Sequence, residues 1–467
     1  MDRVECSPAV IESIPLAIER LRKSFASGKT RPLKFRQEQL SGLERLLKEC
    51  EPEICQAIRK DLGRSELETS IAETSLLRRE LVFAKKQLRK WARPERVRLP
   101  WLTYPSSARI YREPFGVALI IGPWNHPLQL VLVPLVGALA AGNCAVIKPS
   151  ELAPATSSFL AAALPRYLDA DCVQVVEGGI SESTALLAER FDYIFYTGNP
   201  RVGRIILEAA AKHLTPATLE LGGKSPCIVD RSANLKSSAR RIMWGKLMNA
   251  GQLCISPDYV LVDETVETAL LTHLAEAVKE FHGEQPRTSP DFARIINQRH
   301  FQRLVRLIDG GGQIFVGGEA CEDELYIAPT ILIKTPPDAP IMQEEIFGPI
   351  LPVLSVKSVD EAIAFINQRE KPLAIYAFAE DARVRRQVIE RTSSGAVAVN
   401  YPCVHAVLPC LPLGGVGNSG MGAYHGRASF ETFSHRKPVF LKASWPDPNI
   451  VYPPFSKLKE RIIRRLM

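Results

Sequence analysis

The feature that most constrains the fold is a repeated alternation of short apolar runs with helical segments. The runs lie at 117–121, 144–147, 173–176 and 193–196, and segments with helical spacing of apolar residues follow near 128–141, 155–168, 182–189 and 201–213. Such alternation predicts parallel strands joined by crossover helices. We therefore expect an α/β fold built on a doubly wound parallel sheet, with ligands at the carboxyl ends of its strands.

A second α/β region is predicted after Gly222. Apolar spacing there indicates helices near 233–249, 264–280 and 297–309, and strands at 259–262, 313–316, 326–333 and 396–400. The segment 8–91 has the pattern of several surface helices, alternation at 108–113 predicts a further strand, and 401–415 is predicted to be irregular.

Composition narrows the class of protein. The chain has 467 residues, 46% apolar and 24% charged, which suits a globular enzyme with two large domains. Its net charge of +8 tolerates anionic ligands, but no basic tract interleaved with aromatic residues indicates a nucleic-acid partner. The ten cysteines form no Cys-x-x-Cys pair, so we expect no metal site. Without a signal-peptide pattern or a membrane-spanning apolar run, a cytoplasmic location is expected.

Cys254 is the candidate nucleophile. Gly251 precedes it and Pro257 follows it, so the thiol is predicted to be presented from a turn and not from a helix interior. A lone cysteine is more often a small buried apolar residue. Glu220 and Asn125 favour chemistry instead, because they supply the carboxylate and the amide donor that a thiol acting on a carbonyl needs.

Two glycine-containing turns are candidates for nucleotide binding. The literal G-x-G-x-x-G at 415–420 has neither a strand pattern before it nor a helix pattern after it, so we do not assign it to a nucleotide. At 195–203 a strand ends in a turn at Gly198, and a helix begins at Pro200 or Arg201. The start of such a helix suits an anion, although a plain strand–helix turn fits the spacing equally well.

Lys148 and Glu151 lie at the end of another strand. Their side chains suit ribose hydroxyls, with solvated loop charges as the alternative.

Five motifs, in order, resemble those of the aldehyde dehydrogenase superfamily over almost the whole chain. They are Gly122-Pro123-Trp124-Asn125, Lys148-Pro149-Ser150-Glu151, Glu220-Leu221-Gly222-Gly223-Lys224, Gly251-Gln252-Leu253-Cys254 and Glu344-Glu345-Ile346-Phe347-Gly348-Pro349. The ending 414–433 resembles the class 3 branch, which includes fatty-aldehyde enzymes. The resemblance implies NAD(P)-dependent oxidation of hydrophobic aldehydes to carboxylic acids.

The same resemblance implies the roles of the site residues. Cys254 would attack the aldehyde, Asn125 and the Cys254 backbone N–H would hold the oxyanion, and Glu220 would activate the water that hydrolyses the thioester. NAD is the expected cofactor and NADP a second option, since Glu151 would repel a 2′-phosphate. The residues implied to contact the cofactor are Trp124, Lys148, Glu151, Gly198, Asn199, Gly203, Leu221, Glu345 and Phe347.

The resemblance also divides the chain. It implies a dinucleotide-binding domain (1–98 and 114–221), a catalytic domain (222–423), a bridging or oligomerisation arm (99–113 and 424–443) and a basic tail (444–467), with a homodimer formed through the arm. In the tail, apolar residues at 458, 462 and 466 among five cations predict a basic amphipathic helix. Such a helix suits an anionic membrane surface, and docking on the body or on a second subunit remains open.

Local departures leave further questions. His126 stands where the family commonly has an aromatic residue. It either lines the substrate entrance or packs beside the turn. Pro200 replaces the usual threonine of the glycine turn and suits the first position of a helix. Cys403 and Cys410 with His405 have no Asn or Asp partner at a recognisable spacing for a Cys–His hydrolase, so a thiol in a substrate-lining loop is the simpler interpretation. Lys224 is interpreted as a structural charge.

Two other functions remain as alternatives. A CoA-acylating relative would resolve the thioester with CoA, but such enzymes lack the general base, so Glu220 argues against it. A silent binding protein with the same fold is disfavoured because Cys254, Asn125 and Glu220 are all present.

Overall fold

A computed structural model describes residues 8–100 and 103–466 of the chain. Parts of three predicted segments therefore lie outside the described residues: 1–7 of the dinucleotide-binding domain, 101–102 of the arm and residue 467 of the tail. The N-terminal part is helical and covers the first sheet. Its elements are α1 Pro8–Ala26, α2 Leu33–Glu49, α3 Glu51–Leu62, α4 Glu66–Thr69, a π turn at Ser70–Thr74, and α5 Ser75–Ala92.

The first sheet confirms the predicted α/β alternation. Its elements are β3 Val117–Ile121, α6 Gln129–Ala141, β4 Cys144–Lys148, α7 Pro154–Tyr167, β5 Val173–Val175, α8 Ile180–Ala188, β6 Tyr193–Thr197, α9 Pro200–Ala211 and β7 Ala217–Glu220. Within the described residues the strand order is β17-β7-β6-β3-β4-β5, where β17 is Gly420–Met421. All neighbours are parallel except β17, which runs antiparallel to β7.

The helix α6 shows why this half is stable. All of its residues are buried, and it is apolar on every side because the sheet lies on one face while α2, α5 and a later helix lie on the others. At its end, the Asn143 side chain accepts a hydrogen bond from Gly116 N–H (2.9 Å) and donates one to the Phe433 carbonyl (2.9 Å). This amide ties the first sheet to the arm.

The second sheet contains the remaining large strands. In the described part its order is β10-β13-β14-β9-β8-β15-β16, and β10 alone is antiparallel to its neighbour. The strands are β8 Pro226–Val229, β9 Tyr259–Asp263, β10 Gln313–Val316, β13 Thr330–Ile333, β14 Ile350–Val356, β15 Ala374–Phe378 and β16 Ala396–Val399. The helices are α10 Leu235–Leu247, α11 Glu267–His282, α12 Gln298–Asp309, α13 Pro340–Gln343, α14 Val359–Asn367 and α15 Ala382–Arg391.

One strand prediction was wrong. The segment 326–333 is divided into β12 Tyr326–Ile327, which pairs with β11 Ala320–Cys321, and β13, which joins the second sheet. Pro329 lies between the two strands and has no N–H for a ladder, so a single continuous strand is disfavoured there. The apolar pattern alone did not show this break.

A separate antiparallel sheet contains strands from both segments predicted as the arm, together with β1, which lies in the segment predicted as the dinucleotide-binding domain. Its order in the described residues is β1-β2-β18, with β1 Glu95–Val97, β2 Ser106–Pro114 and β18 Ser434–Lys442. The helix α16 Gly426–Thr432 precedes β18, and α17 Lys457–Leu466 follows it in the tail. The domain boundaries stay a prediction; β17, at 420–421, belongs to the first sheet although it lies before the predicted boundary at 423.

Candidate active site

The loop that carries Cys254 has an unusual backbone. Asn249, Ala250 and Gly251 have φ values of 50°, 50° and 76°, so three successive residues lie in the left-handed region. The Gly251 conformation also requires glycine, because a Cβ would lie 2.2 Å from the carbonyl oxygen of Gly348. This run ends the helical path of α10 and presents the half-buried Cys254 thiol from a turn, as predicted.

Asn125 joins this loop to the first sheet. It follows β3, is buried, and its side-chain Nδ2 donates to the Gln252 carbonyl at 3.0 Å. Its own carbonyl accepts from Asn249 Nδ2 at 3.0 Å. The amide predicted as the oxyanion donor therefore contacts the Cys254 loop at Gln252, two residues before the nucleophile.

Glu220 is the last residue of β7 and is buried. Within the described part of the chain, neither of its carboxylate oxygens has a hydrogen-bond partner. Burial raises the pKa of this carboxyl well above its ordinary value, because no cation or donor compensates for lost solvation. A carboxyl group held in this way is suited to take up a proton.

The acidic and aromatic residues at 344–349 lie at the same crevice. The ring of Phe347 (φ 53°) meets the ring of Trp124 edge-on, with centroids 5.3 Å apart. A Cβ on Gly222 would lie 2.4 Å from a carboxylate oxygen of Glu345, so this glycine allows the carboxylate to approach. Burial and the charge of Asp258 raise the pKa of Glu345 to about 8.

The remaining predicted cofactor residues follow neighbouring strands of the first sheet. Lys148 is the last residue of β4, and its Nζ lies 3.2 Å from a carboxylate oxygen of Glu151. The backbone N–H of Gly198 donates to the Glu220 carbonyl at 3.0 Å, and Asn199 caps α9 by accepting from Val202 N–H at 3.0 Å. In α9, a Cβ on Gly203 would lie 3.2 Å from the buried Leu221 side chain.

The structure also places the residues that the sequence left open. His126 is buried, with Nδ1 3.5 Å from a carboxylate oxygen of Glu73, so it packs beside the turn and does not line an open entrance. Pro200 is the first residue of α9. Lys224 forms an ion pair with Asp258 and donates to two carbonyls near 344, which makes it a structural charge.

The two cysteines of the loop 401–415 differ in their exposure to solvent. Cys403 is buried, with Sγ 3.4 Å from the Ile255 carbonyl, whereas Cys410 is exposed. His405 has no hydrogen-bond partner among the residues that the structure describes. The turn at 415–420 leads into the antiparallel strand β17 and not into an α-helix, as expected of a segment that binds no nucleotide.

Comparison with known proteins agrees with this geometry. The sequence profile of the Aldehyde dehydrogenase family matches residues 5–439. The chain belongs to the aldehyde dehydrogenase family.

Its similarity to individual members extends over nearly the full length. The chain is 51% identical over 442 residues to Aldehyde dehydrogenase family 3 member A2 of Mus musculus, covering 94% of this chain and 91% of that protein. It is 49% identical over 448 residues to family 3 member B2 of the same organism, with 96% and 93% covered. The substrate-bound Staphylococcus aureus AldH superposes with a TM-score of 0.95 at 43% identity, covering 97% and 99%.

Sequence reasoning missed several residues that support this aldehyde dehydrogenase site. Arg303 donates to the carbonyls of Glu345 (3.3 Å) and Ile346 (2.6 Å), and so holds the loop that carries Glu345. His300 packs against Trp124, with ring centroids 5.1 Å apart. Both lie on α12 with a spacing of three residues, which places them on one helix face. That spacing was the available signal, but it does not indicate which face meets the site.

In the absence of cofactor, the rate at which Cys254 is alkylated should depend on pH in a distinctive way. Burial, Glu345 and Glu220 raise the pKa of Cys254, so little thiolate exists at neutral pH. We expect its alkylation by iodoacetamide to accelerate about tenfold per pH unit near neutrality without a plateau below pH 9, read on the Cys254 peptide by mass spectrometry. Because Glu345 becomes charged above its pKa of about 8, Glu345→Gln should alkylate faster than wild type above that pH and equally below it.

The matched control is Glu344→Gln, which changes the exposed neighbouring carboxylate. It should follow the wild-type profile throughout. A rate that levels off at or below pH 8 would contradict a raised thiol pKa.

Proposed function

We propose that this aldehyde dehydrogenase oxidises hydrophobic aldehydes to carboxylic acids with NAD. The observation that carries the proposal is the junction of Asn125 with the Cys254 loop at the strand ends that also present Glu220. Similarity to family 3 members supports an apolar substrate.

The residues of the crevice fit a dinucleotide. Among the described atoms, Thr197 Oγ1 at the end of β6 and Glu345 Oε1 in the loop between α13 and β14 are buried without hydrogen-bond partners. Both atoms could bind hydroxyl groups of a dinucleotide. Lys148 and Glu151 would hold one ribose, the Gly198 turn the diphosphate, and Glu345 with Phe347 the nicotinamide side. Glu151 favours NAD because its carboxylate would repel a 2′-phosphate. When bound, the cofactor supplies the hydride acceptor.

The chain's own residues perform the other steps. The Cys254 thiolate adds to the carbonyl carbon, and the Asn125 amide with the Cys254 N–H stabilises the resulting oxyanion of a thiohemiacetal. Loss of hydride converts this intermediate to a thioester on Cys254. Glu220 then takes a proton from water, whose oxygen attacks the thioester and releases the carboxylic acid and the Cys254 thiolate. The uncompensated Glu220 carboxyl favours this hydrolysis over transfer to CoA.

Glu220→Gln should separate the two half-reactions. Without a base for hydrolysis, we expect steady-state kcat to fall about 10²–10⁴-fold, while one equivalent of NADH per site still forms in a rapid burst. Stopped-flow absorbance with a long-chain aliphatic aldehyde measures both quantities. An aldehyde series of increasing chain length, with NAD and NADP in parallel, tests the substrate and cofactor preferences of the wild type.

Glu208→Gln is the control, because Glu208 is an exposed carboxylate on α9. It should leave burst and kcat unchanged. If Glu220→Gln abolished the burst together with turnover, Glu220 would act before hydride transfer and the assignment would be wrong.

A homodimer formed through the arm is part of the proposal. In the sheet order β1-β2-β18 of the described residues, β18 pairs on one side only, and its side chains Phe440 and Leu441 are each 54% exposed. An open strand edge with apolar side chains is suited to pairing with a second copy.

Sedimentation velocity tests this arrangement. Wild type should sediment as two chains at micromolar concentration, and Phe440→Asp should shift it toward one. Phe315→Asp, which changes an exposed aromatic on β10, should not. Wild type sedimenting as a single chain would contradict the dimer.

The tail is proposed to bind an anionic membrane surface. Helix α17 carries Lys457, Lys459, Arg461, Arg464 and Arg465 against Glu460. Phe455 and Leu458 are each 64% exposed, so apolar and cationic groups are available together. No helix in the described ranges is long and apolar enough to cross a bilayer. The attachment would be peripheral and would bring the enzyme to lipophilic aldehydes.

Truncation after Pro454 tests this contact. We expect full-length enzyme to co-sediment with vesicles containing phosphatidylserine, to dissociate in high salt, and to ignore purely zwitterionic vesicles. The truncated enzyme should remain in the supernatant with unchanged activity on a short aldehyde. Equal vesicle binding by both forms would remove the membrane proposal.

A further inference from the structure

A short N-terminal segment, here called the 64–74 segment, contacts both halves of the site. It consists of Arg64, Ser65, the helix α4 and the π turn, and it lies far in sequence from every motif discussed above. Three of its charged side chains, Arg64, Glu68 and Glu73, point into the protein, and Arg64 and Glu73 are completely buried. Buried charges need specific partners, so their partners indicate what the segment does.

Arg64 and Glu73 hold the loop of Asn125. One Arg64 nitrogen donates to a Glu73 carboxylate oxygen at 2.8 Å, and another donates to the Asn125 carbonyl at 2.6 Å. The second Glu73 oxygen accepts from Gln129 N–H at 2.7 Å, at the start of α6. These charge-assisted hydrogen bonds fix the backbone at Asn125 and again four residues later.

Glu68 holds the loop of Cys254. Its carboxylate accepts from Asn249 N–H at 2.5 Å, at the first of the three left-handed residues. A left-handed conformation costs roughly 1 kcal/mol for a residue with a side chain, so the run persists only where surrounding contacts impose it. The carboxylate of Glu68 is one of those contacts, and the Asn249 side chain then reaches the Asn125 carbonyl.

The π turn explains how one segment reaches both loops. In a regular α-helix, with 3.6 residues per turn, positions five apart such as 68 and 73 point to clearly different sides. The wider turn at Ser70–Thr74 reduces that angle, and the carboxylates of Glu68 and Glu73 reach Asn249 N–H and Gln129 N–H respectively. Single π turns are frequent at functional sites for this kind of adjustment.

We propose that Arg64, Glu68 and Glu73 are positioning residues for aldehyde oxidation. By holding the Asn125 backbone and the 249–251 backbone from one rigid segment, they set the position of the oxyanion donor relative to the sulfur of Cys254. The inference rests on the roles proposed above for Asn125 and Cys254.

The test compares Glu68→Ala with its conservative variant Glu68→Gln. The alanine leaves Asn249 N–H without its acceptor, and we expect kcat/KM for aldehyde to fall about tenfold or more, since small misplacement of reacting groups has effects of this size. Glutamine keeps an oxygen of the same reach and should restore most of the loss. Glu66→Ala, at an exposed carboxylate two residues away, is the matched control and should equal wild type.

A second measurement separates positioning from general loosening. Iodoacetamide reacts with the thiol by displacement at carbon and places no charge on an oxyanion, so its rate at Cys254 should stay within about twofold of wild type in Glu68→Ala. The dissociation constant for NAD should also be unchanged. Arg64→Lys, which keeps the charge but not the forked pair of donors, should lower kcat/KM in the same selective way.

The outcomes are distinct. Wild-type kcat/KM in Glu68→Ala would overturn the proposal, and so would a parallel loss of aldehyde turnover, alkylation rate and thermal midpoint, which would indicate a structural role only. The variant Asn125→Ala distinguishes failure of the positioning proposal from failure of the proposed function. If Asn125→Ala is fully active, the oxyanion assignment itself is wrong; if it is impaired while Glu68→Ala is not, only the positioning role is wrong.

Discussion

The hydrogen bond from the Asn125 side chain to the Gln252 carbonyl is the interaction on which the site depends. It joins a loop of the first sheet to the loop that follows α10 and carries the nucleophile. Each loop belongs to a different half of the molecule, so neither half alone can set the distance between amide and sulfur. The three left-handed residues before Cys254 are tolerable because this bond and its neighbours hold them.

Two buried carboxyl groups, Glu220 and Glu345, lie near Cys254, and burial disfavours their ionised forms. Glu220 and Glu345 both have raised pKa values, and both raise the pKa of the Cys254 thiol. In the absence of cofactor the site therefore favours a neutral thiol, which is less open to oxidation than a thiolate. A positively charged nicotinamide ring placed in the crevice would reverse this balance by favouring each of the three anionic forms. Cofactor binding would in this way be coupled electrostatically to ionisation of the Cys254 thiol.

Much of the fold, and the approach of Asn125 to the Cys254 loop, was accessible from sequence, for identifiable reasons. The strands of the first sheet are continuous apolar runs because both faces are buried, and the helix α6 is apolar throughout for the same reason. Cys254, Asn125 and Glu220 lie in motifs whose neighbours are glycine and proline, which mark turns at strand or helix ends. In contrast, the pairing of β17 with β7 depends on partners distant in sequence, which periodicity does not indicate. The break at Pro329 was marked by the proline itself, but the apolar pattern alone did not show it.

The sequence did not indicate the proposed positioning residues, for a different reason. Arg64, Glu68 and Glu73 lie among many charged residues of the N-terminal helices, where a solvated surface is the ordinary interpretation of Arg and Glu. The tertiary fold buries Arg64 and Glu73 completely, and the π turn at Ser70–Thr74 changes the direction of Glu73 from that expected in a regular α-helix. Charge at such positions is informative because an uncompensated buried ion costs several kcal/mol, so its presence means that its hydrogen bonds are required. Here those bonds end on the backbone of Asn125 and Asn249, which is why we propose that the 64–74 segment positions the site and does not only cover the first sheet.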